Sequence, residues 1–250
     1  MRNRLFLGFS DTIELPPGGF LFIHDEVPAV ARARVFDPTR SSFNPLSKIT
    51  YRAARDLANV LYAIAPQGEN TLTVRNGKRA LLKAFLHPKT RRLDKLKTDD
   101  AEVEAMIDDL LASPVIRHAL CEPMKPFSFR PNSKILARIN RAELGDFDAL
   151  VLGLMLIAHY PGQLVIPDFG FYGRAAHANL IRQKRLIAGV RFLGELPTQL
   201  RPSVLAIGDK VPTAVLHEDA ETLAKYAGYS PHTNGFEDFV REAMAPPSFD

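Results

Sequence analysis

Asp168 is the residue of this 250-residue chain most naturally placed to do chemistry, because it follows the bare apolar run Leu164-Val165-Ile166-Pro167. A run with no polar alternation is the form of a strand in a parallel sheet covered on both faces. Such sheets bind ligands at the carboxyl ends of their strands, where a carboxylate can meet Mg²⁺. A second reading also fits: a strand-end aspartate opening the turn toward Gly170 and Gly173. Downstream, Gln199 follows an expected strand over 189–193, where a polar side chain can sense a terminal phosphate. Arg182, Arg185 and Arg191 are candidates for arginines that reach a neighbouring subunit's phosphates, or else they are solvated or beside acids.

What would grip the phosphates is missing. Gly77-Lys78-Arg79 is the one Gly-Lys step leading into a helix-like run. A G-x-x-x-x-G-K-[S/T] loop needs glycine where Leu72 stands, and Ser or Thr where Arg79 stands. Residues 70–74 also lack the glycines that let backbone N–H groups converge on an anion, so this is an ordinary basic helix start. Other chemistries have no support. The seven histidines show no metal-ligand spacing, the single Cys121 cannot build a zinc site, and no G-x-S-x-G elbow occurs.

Charge is unevenly distributed. Nine basic residues lie between Arg75 and Lys97 (Arg75, Lys78, Arg79, Lys83, Lys89, Arg91, Arg92, Lys95, Lys97) against one acid, Asp94. Six acids follow with no base among them: Asp99, Asp100, Glu102, Glu104, Asp108 and Asp109. Two solvated helix faces that neutralise each other would give this pattern. So would a basic patch facing a polyanion, since phosphate contacts drive sequence-independent DNA binding. Under the second reading Arg75, Lys78, Arg79, Lys83, Arg91 and Arg92 are the candidate contacts, with Arg182, Lys184 and Arg185 secondary.

The elements that must position these residues read as follows. Phe20–His24 and Ala33–Phe36 are short strands, the first after the turn signal Pro16-Pro17-Gly18-Gly19. Helices are expected over Tyr51–Ala65, from Asn76 to about Leu86, from an Asp99 or Asp100 cap through Leu111, and from Pro114 toward Cys121. From Ile135 the pattern alternates: strand 135–139, helix 146–159, strand 164–166, helix 174–185, strand 189–193, a short helix near 197–201 and strand 203–207. An edge strand at 213–216 and helices 218–227 and 234–243 complete it. Alternation predicts an α/β fold, a mostly parallel twisted sheet flanked by helices. The expected division is a core of residues 1–50 and 123–250 with an all-helical insertion at 51–122.

Composition fits an ordinary globular protein, 46% hydrophobic and 24% charged. One cysteine fits a reducing cytosol, so a cytoplasmic protein is expected. The apolar run Leu5–Phe9 is too short for a secretion signal, and Ala149–Ala158 falls short of the roughly 20 residues a bilayer requires.

Taken in order, these pieces resemble the FtsK/HerA superfamily of DNA-pumping P-loop ATPases, particularly the coupling-protein branch of conjugation and type IV secretion. Val35-Phe36-Asp37-Pro38 with Phe43-Asn44-Pro45-Leu46 is similar to that branch's second strand and the loop after it. The stretch from Tyr51 to Cys121 falls where the family inserts a helical domain. Leu164–Asp168 stands where it has its Walker B strand and acid. The course from Leu180 to Gly228 is similar to its arginine-bearing helix, strand, glutamine sensor and closing helix.

The resemblance implies a RecA-like core, Asp168 as the Mg²⁺ ligand and Gln199 as sensor. It also implies a phosphate loop between Phe20–His24 and Arg34–Phe36, where only Asp25–Ala33 remain. Phe169 replaces the usual water-polarising glutamate. The expectation is therefore a degenerate pseudo-ATPase of a mobile element or phage that binds no cofactor. It would be an oligomeric, architectural protein contacting double-stranded DNA or an ATPase, secretion or packaging partner. Two alternatives stand beside it: an active transfer or packaging ATPase that binds Mg-ATP with a neighbouring subunit's help, and a structural virion or secretion-complex component.

Overall fold

The computed structural model describes residues 3–8, 13–47, 49–64, 71–87, 92–121, 126–174, 177, 181–182 and 186–245. Seven strands form one sheet: β1 (Arg4–Gly8), β2 (Phe20–His24), β3 (Arg34–Phe36), β4 (Lys134–Arg138), β5 (Gln163–Ile166), β6 (Leu186–Val190) and β7 (Asp209–Thr213). Their order is β3-β4-β2-β5-β6-β1-β7, all parallel. The α/β class read from the alternation is therefore correct. Strands β5 and β6 are buried along their whole length, as continuous apolar runs require. Pro212 sits in β7 without cost because that strand is at the edge.

The chain divides into two compact units, Met1–Phe22 with Gly162–Asp250, and Ile23–Pro161. In the second unit the described residues between 51 and 121 form helices: α1 (Tyr51–Ile64), α2 (Thr71–Phe85), a 3₁₀ turn (Leu93–Lys95), α3 (Ala101–Ala112) and α4 (Pro114–Cys121). Asp100 caps α3 by accepting the Val103 N–H at 3.1 Å, as its position predicts. Helix α5 (Arg141–Leu144) leads into α6 (Asp146–His159), which is buried from Val151 to Ala158 and packs on α1 and α4. Asp146 and Asp148 in its first turn complement the helix dipole.

The loop bearing Asp37, Phe43 and Asn44 is a scaffold in this unit. Asp37 Oδ1 accepts the Thr39 N–H and hydroxyl, at 2.9 and 2.6 Å. Asn44 Oδ1 accepts the Leu46 N–H at 2.9 Å. Phe36 is fully buried with Phe43, Phe127 and Phe129 packed edge-on around it at centroid distances of 5.4–5.5 Å.

In the first unit, α7 (Phe169–Tyr172) follows β5, a 3₁₀ turn (Leu193–Glu195) follows β6, and α8 (Arg201–Leu205), α9 (His217–Tyr226) and α10 (Asn234–Met244) close the chain's described part. Gly228 takes φ +90° just past α9, the left-handed stop its glycine suggests.

Several expectations need correction. The run Leu5–Phe9, read only against a secretion signal, contributes β1, which lies between β6 and β7. The strand expected at 189–193 is β6, three residues earlier. The strand expected at 203–207 is a helix: Pro202 starts α8, and Val204 and Leu205 bury their side chains from it. The short helix expected near 197–201 is displaced to α8. The edge strand expected at 213–216 is β7, over 209–213. Helix α2 begins at Thr71 rather than Asn76. Of the helix expected over 174–185, Ile181 and Arg182 are helical, and Ala175, Ala176, residues 178–180 and 183–185 lie outside the described residues.

Candidate functional site

The course of the chain through the sheet fixes where a ligand would sit. Strand β1 leads to β2, three places away on one side, whereas β6 leads past β1 to β7 on the other. The direction of travel reverses between β1 and β6, and open parallel sheets bind ligands outside the carboxyl ends of such a pair. Those ends are Gly8 and Val190, with Ile166 of the neighbouring β5 alongside.

Asp168 occupies this edge, two residues beyond β5, at the residue before α7. Its side chain does not cap that helix. Phe169, where the resemblance implies an acid, is fully buried in the core. The structure supplies the second acid from elsewhere. Glu195, in the 3₁₀ turn after β6, accepts the Arg191 N–H at 3.3 Å. Burial is the main cause that pushes its carboxyl pKa up, and the Asp168 carboxylate adds to it. A Cβ at residue 170 would lie 2.1 Å from Glu195 Oε2, so Gly170 makes the room that this carboxylate occupies. Buried Asp219 of α9 holds the turn by accepting the Leu193 N–H at 2.8 Å, and burial raises its own pKa.

Because the Glu195 pKa is raised on folding, its contribution to stability is complete below the unfolded carboxylate range, near 4.3, and is lost as pH rises through the folded value. Glu195→Gln removes the charge while keeping an acceptor for the Arg191 N–H. Thermal melts of the two proteins should show the variant more stable at pH 7.5, with the gap closing as pH falls toward 4. A variant less stable at pH 7.5 would contradict this account of the turn.

The remaining expected site residues scatter. Gln199 is exposed in the turn before α8, and none of the hydrogen bonds among the described residues joins it to Asp168. Arg191 is exposed beside Glu195. Arg182 lines a pocket with Asn3 and Gly208, the residues just before β1 and β7, so it belongs to the amino-terminal edge of the strands, opposite Asp168. Lys184, Arg185 and Arg91 lie outside the described residues. The basic segment also splits. Arg75, Lys78 and Arg79 line one groove, between α1 and α2. Lys83 faces a second, mixed-charge groove, 3.9 Å from Asp99. Arg92 is held by both oxygens of Asp94, at 2.8 and 2.7 Å. Among the described residues no group of three or more His, Cys, Asp or Glu could hold a metal ion, and no helix is long and apolar enough to cross a membrane.

The architecture itself has a solved counterpart. Compared with known structures, the chain matches VirB4 of Thermoanaerobacter pseudethanolicus with a TM-score of 0.57, over 91% of this chain and 81% of that one, at 10% sequence identity. The chain shares its fold with VirB4. At that identity the likeness concerns the parallel sheet and its flanking helices, not the chemistry at their edge. No protein-family model matches the sequence, and no curated protein matches it.

Proposed function

We propose that this protein is an ATPase-like scaffold that has lost its nucleotide grip and serves an architectural, nucleic-acid- or partner-contacting role in a DNA-transfer or secretion assembly. The likeness to VirB4 supports the ATPase-like core and the secretion context. The observation that carries the rest is the link from β1 to β2. It leaves the carboxyl end of β1, at the reversal of the sheet, where a phosphate loop and its helix would have to stand. This position differs from the gap after Phe20–His24 that the sequence resemblance implies, because a further strand, β1, precedes β2 in the chain.

Residues 9–19 read Phe-Ser-Asp-Thr-Ile-Glu-Leu-Pro-Pro-Gly-Gly. They contain no lysine or arginine, and their charges are Asp11 and Glu14. Residues 13–19 are not helical, so they offer no helix N-terminus to an anion. A Cβ at Gly189 would lie 3.1 Å from Ile13 Cδ1, so Ile13 lays an apolar side chain over the end of β6. Glu14 accepts a hydrogen bond from Arg4 Nη1 at 2.6 Å. A link without lysine or arginine offers a triphosphate no cation.

The second reading, an ATPase whose site is completed by a neighbouring subunit, draws on the Asp168–Glu195 pair. One or two carboxylates plus substrate phosphates are what Mg²⁺ usually takes, so these two residues fit the metal. The phosphate side of such a site does not fit. Titrating a fluorescent ATP analogue with Mg²⁺ against the isolated chain distinguishes the readings. No saturable binding up to about 1 mM, the upper end of ordinary substrate affinities, is expected. Tight binding abolished by Asp168→Ala would overturn the scaffold reading. The proposed assembly is oligomeric, with hydrolysis performed by another chain.

A further inference from the structure

The groove between α1 and α2 is built differently from the rest of the basic segment. Arg55 and Asn59 project from α1 one turn apart, and Arg75, Lys78, Arg79 and Leu82 lie at i, i+3, i+4 and i+7 of α2, which is one helix face. The two stripes line a groove of about 440 Å³ with Ala58 and Val74, and no carboxylate is among the lining residues. Arg55, Arg75 and Arg79 are exposed and form no ion pair with any described residue. Lys78 Nζ lies 6.0 Å above the Tyr62 ring. Gly77 holds the helices at this spacing, since a Cβ there would fall 1.4 Å from the Tyr62 hydroxyl. Four cations facing one groove without counter-charges repel one another, and a phosphate-bearing ligand relieves that repulsion.

We infer that this groove, through Arg55, Arg75, Lys78 and Arg79, holds the phosphate backbone of duplex DNA. The inference rests on the scaffold reading above in taking a nucleic acid as the partner, and it names the surface. Single-strand binding commonly needs aromatic faces on which bases stack. The ring beside this groove, Tyr62, is buried against Gly77 and leaves no platform. Contact is then to phosphates alone, so sequence discrimination is absent and salt dependence is steep. Lys83, Lys95 and Lys97 are excluded from the surface because they line the other groove together with Asp99 and Asp100.

The test is fluorescence anisotropy of a labelled duplex of about 20 base pairs with the full chain, without nucleotide, across salt concentrations. Four phosphate contacts imply a slope of log Kobs on log[salt] of about −3.6, which is roughly 150-fold weakening between about 50 and 200 mM salt. The triple variant Arg55→Ala/Arg75→Ala/Arg79→Ala should cut the slope to about −0.9, leaving about 3- to 4-fold weakening over the same range. The matched variant Lys83→Ala/Lys95→Ala/Lys97→Ala removes the same net charge and should keep the wild-type slope. Equal melting temperatures show that all three proteins are folded.

If the wild type binds steeply but both triple variants lose slope equally, the groove is wrong while the scaffold reading survives. No binding at 50 mM salt refutes the groove and the nucleic-acid part of that reading together, and leaves the nucleotide titration to judge the rest. Tighter binding of duplex RNA, or of single strands, overturns the assignment to duplex DNA.

Discussion

Phe36→Ala is expected to destabilise the protein by about 3–5 kcal/mol, the range for emptying a buried aromatic site. Phe36 has no exposed surface and is packed edge-on by Phe43, Phe127 and Phe129, so no single neighbour can move in to fill the space. Edge-on aromatic pairs add to the loss beyond buried area. Phe43 and Phe129 also touch each other and the His159 ring at 5.3–5.8 Å, so the cluster links β3, the Phe43–Leu46 loop and the end of α6. Urea denaturation of wild type, Phe36→Ala and Phe36→Leu gives the comparison. The leucine variant should recover more than half of the loss. An alanine variant within 1 kcal/mol of wild type would mean that the cluster is not a structural centre.

Gly189→Ala should also be damaging, though less so, and for the opposite reason. A Cβ at 189 would lie 2.0 Å from the Pro167 carbonyl oxygen and 3.1 Å from Ile13 Cδ1. The first obstacle is backbone, so it cannot swing aside as a side chain end would. Either β6 or the end of β5 must shift, which costs about 1–3 kcal/mol and sometimes more. For a chain of this size that is a fall in Tm of roughly 2–12 °C. The shift bears directly on Asp168, the residue after Pro167. The distinguishing readout is therefore the pH dependence of stability attributed to Glu195, which should weaken when Asp168 moves. If Gly189→Ala melts like wild type, β5 and β6 are not in the close contact described.

Much of the fold was legible because its helices and buried strands carry strong patterns. Helix α6 is apolar around its whole circumference between an acidic start and His159, and its limits follow from sequence directly. Strand β5 is four buried residues in a row. What misled was weaker patterning. Arg4–Gly8 alternates intermediate and buried residues over five positions, too short a run to stand out as a strand in the sequence. The run at 204–207 is apolar enough for a strand, but Pro202 and the helical spacing of Leu200 and Val204 decided for a helix.

The site was half visible. Asp168 was marked by the strand before it. Glu195 lies 27 positions downstream and reaches the same edge through the return of the chain along β6, which no local spacing reports. Charge counting likewise treated residues 75–97 as one patch. Helical period alone does not separate Lys83 from Arg79, one turn earlier; the fold places Lys83 on a different groove and adds Arg55 from a different helix.

The placement of β1 also sets a timetable. Its first residue bonds Asp209 across 205 positions of chain, and its other neighbour, β6, begins at Leu186. During translation at about 5–20 residues per second, Leu5 and Leu7 therefore wait about 10–40 s before either lateral partner has been made. Throughout that interval the ribosome displays a short apolar segment with both hydrogen-bonding edges open, a stretch prone to wrong pairings until β6 is complete.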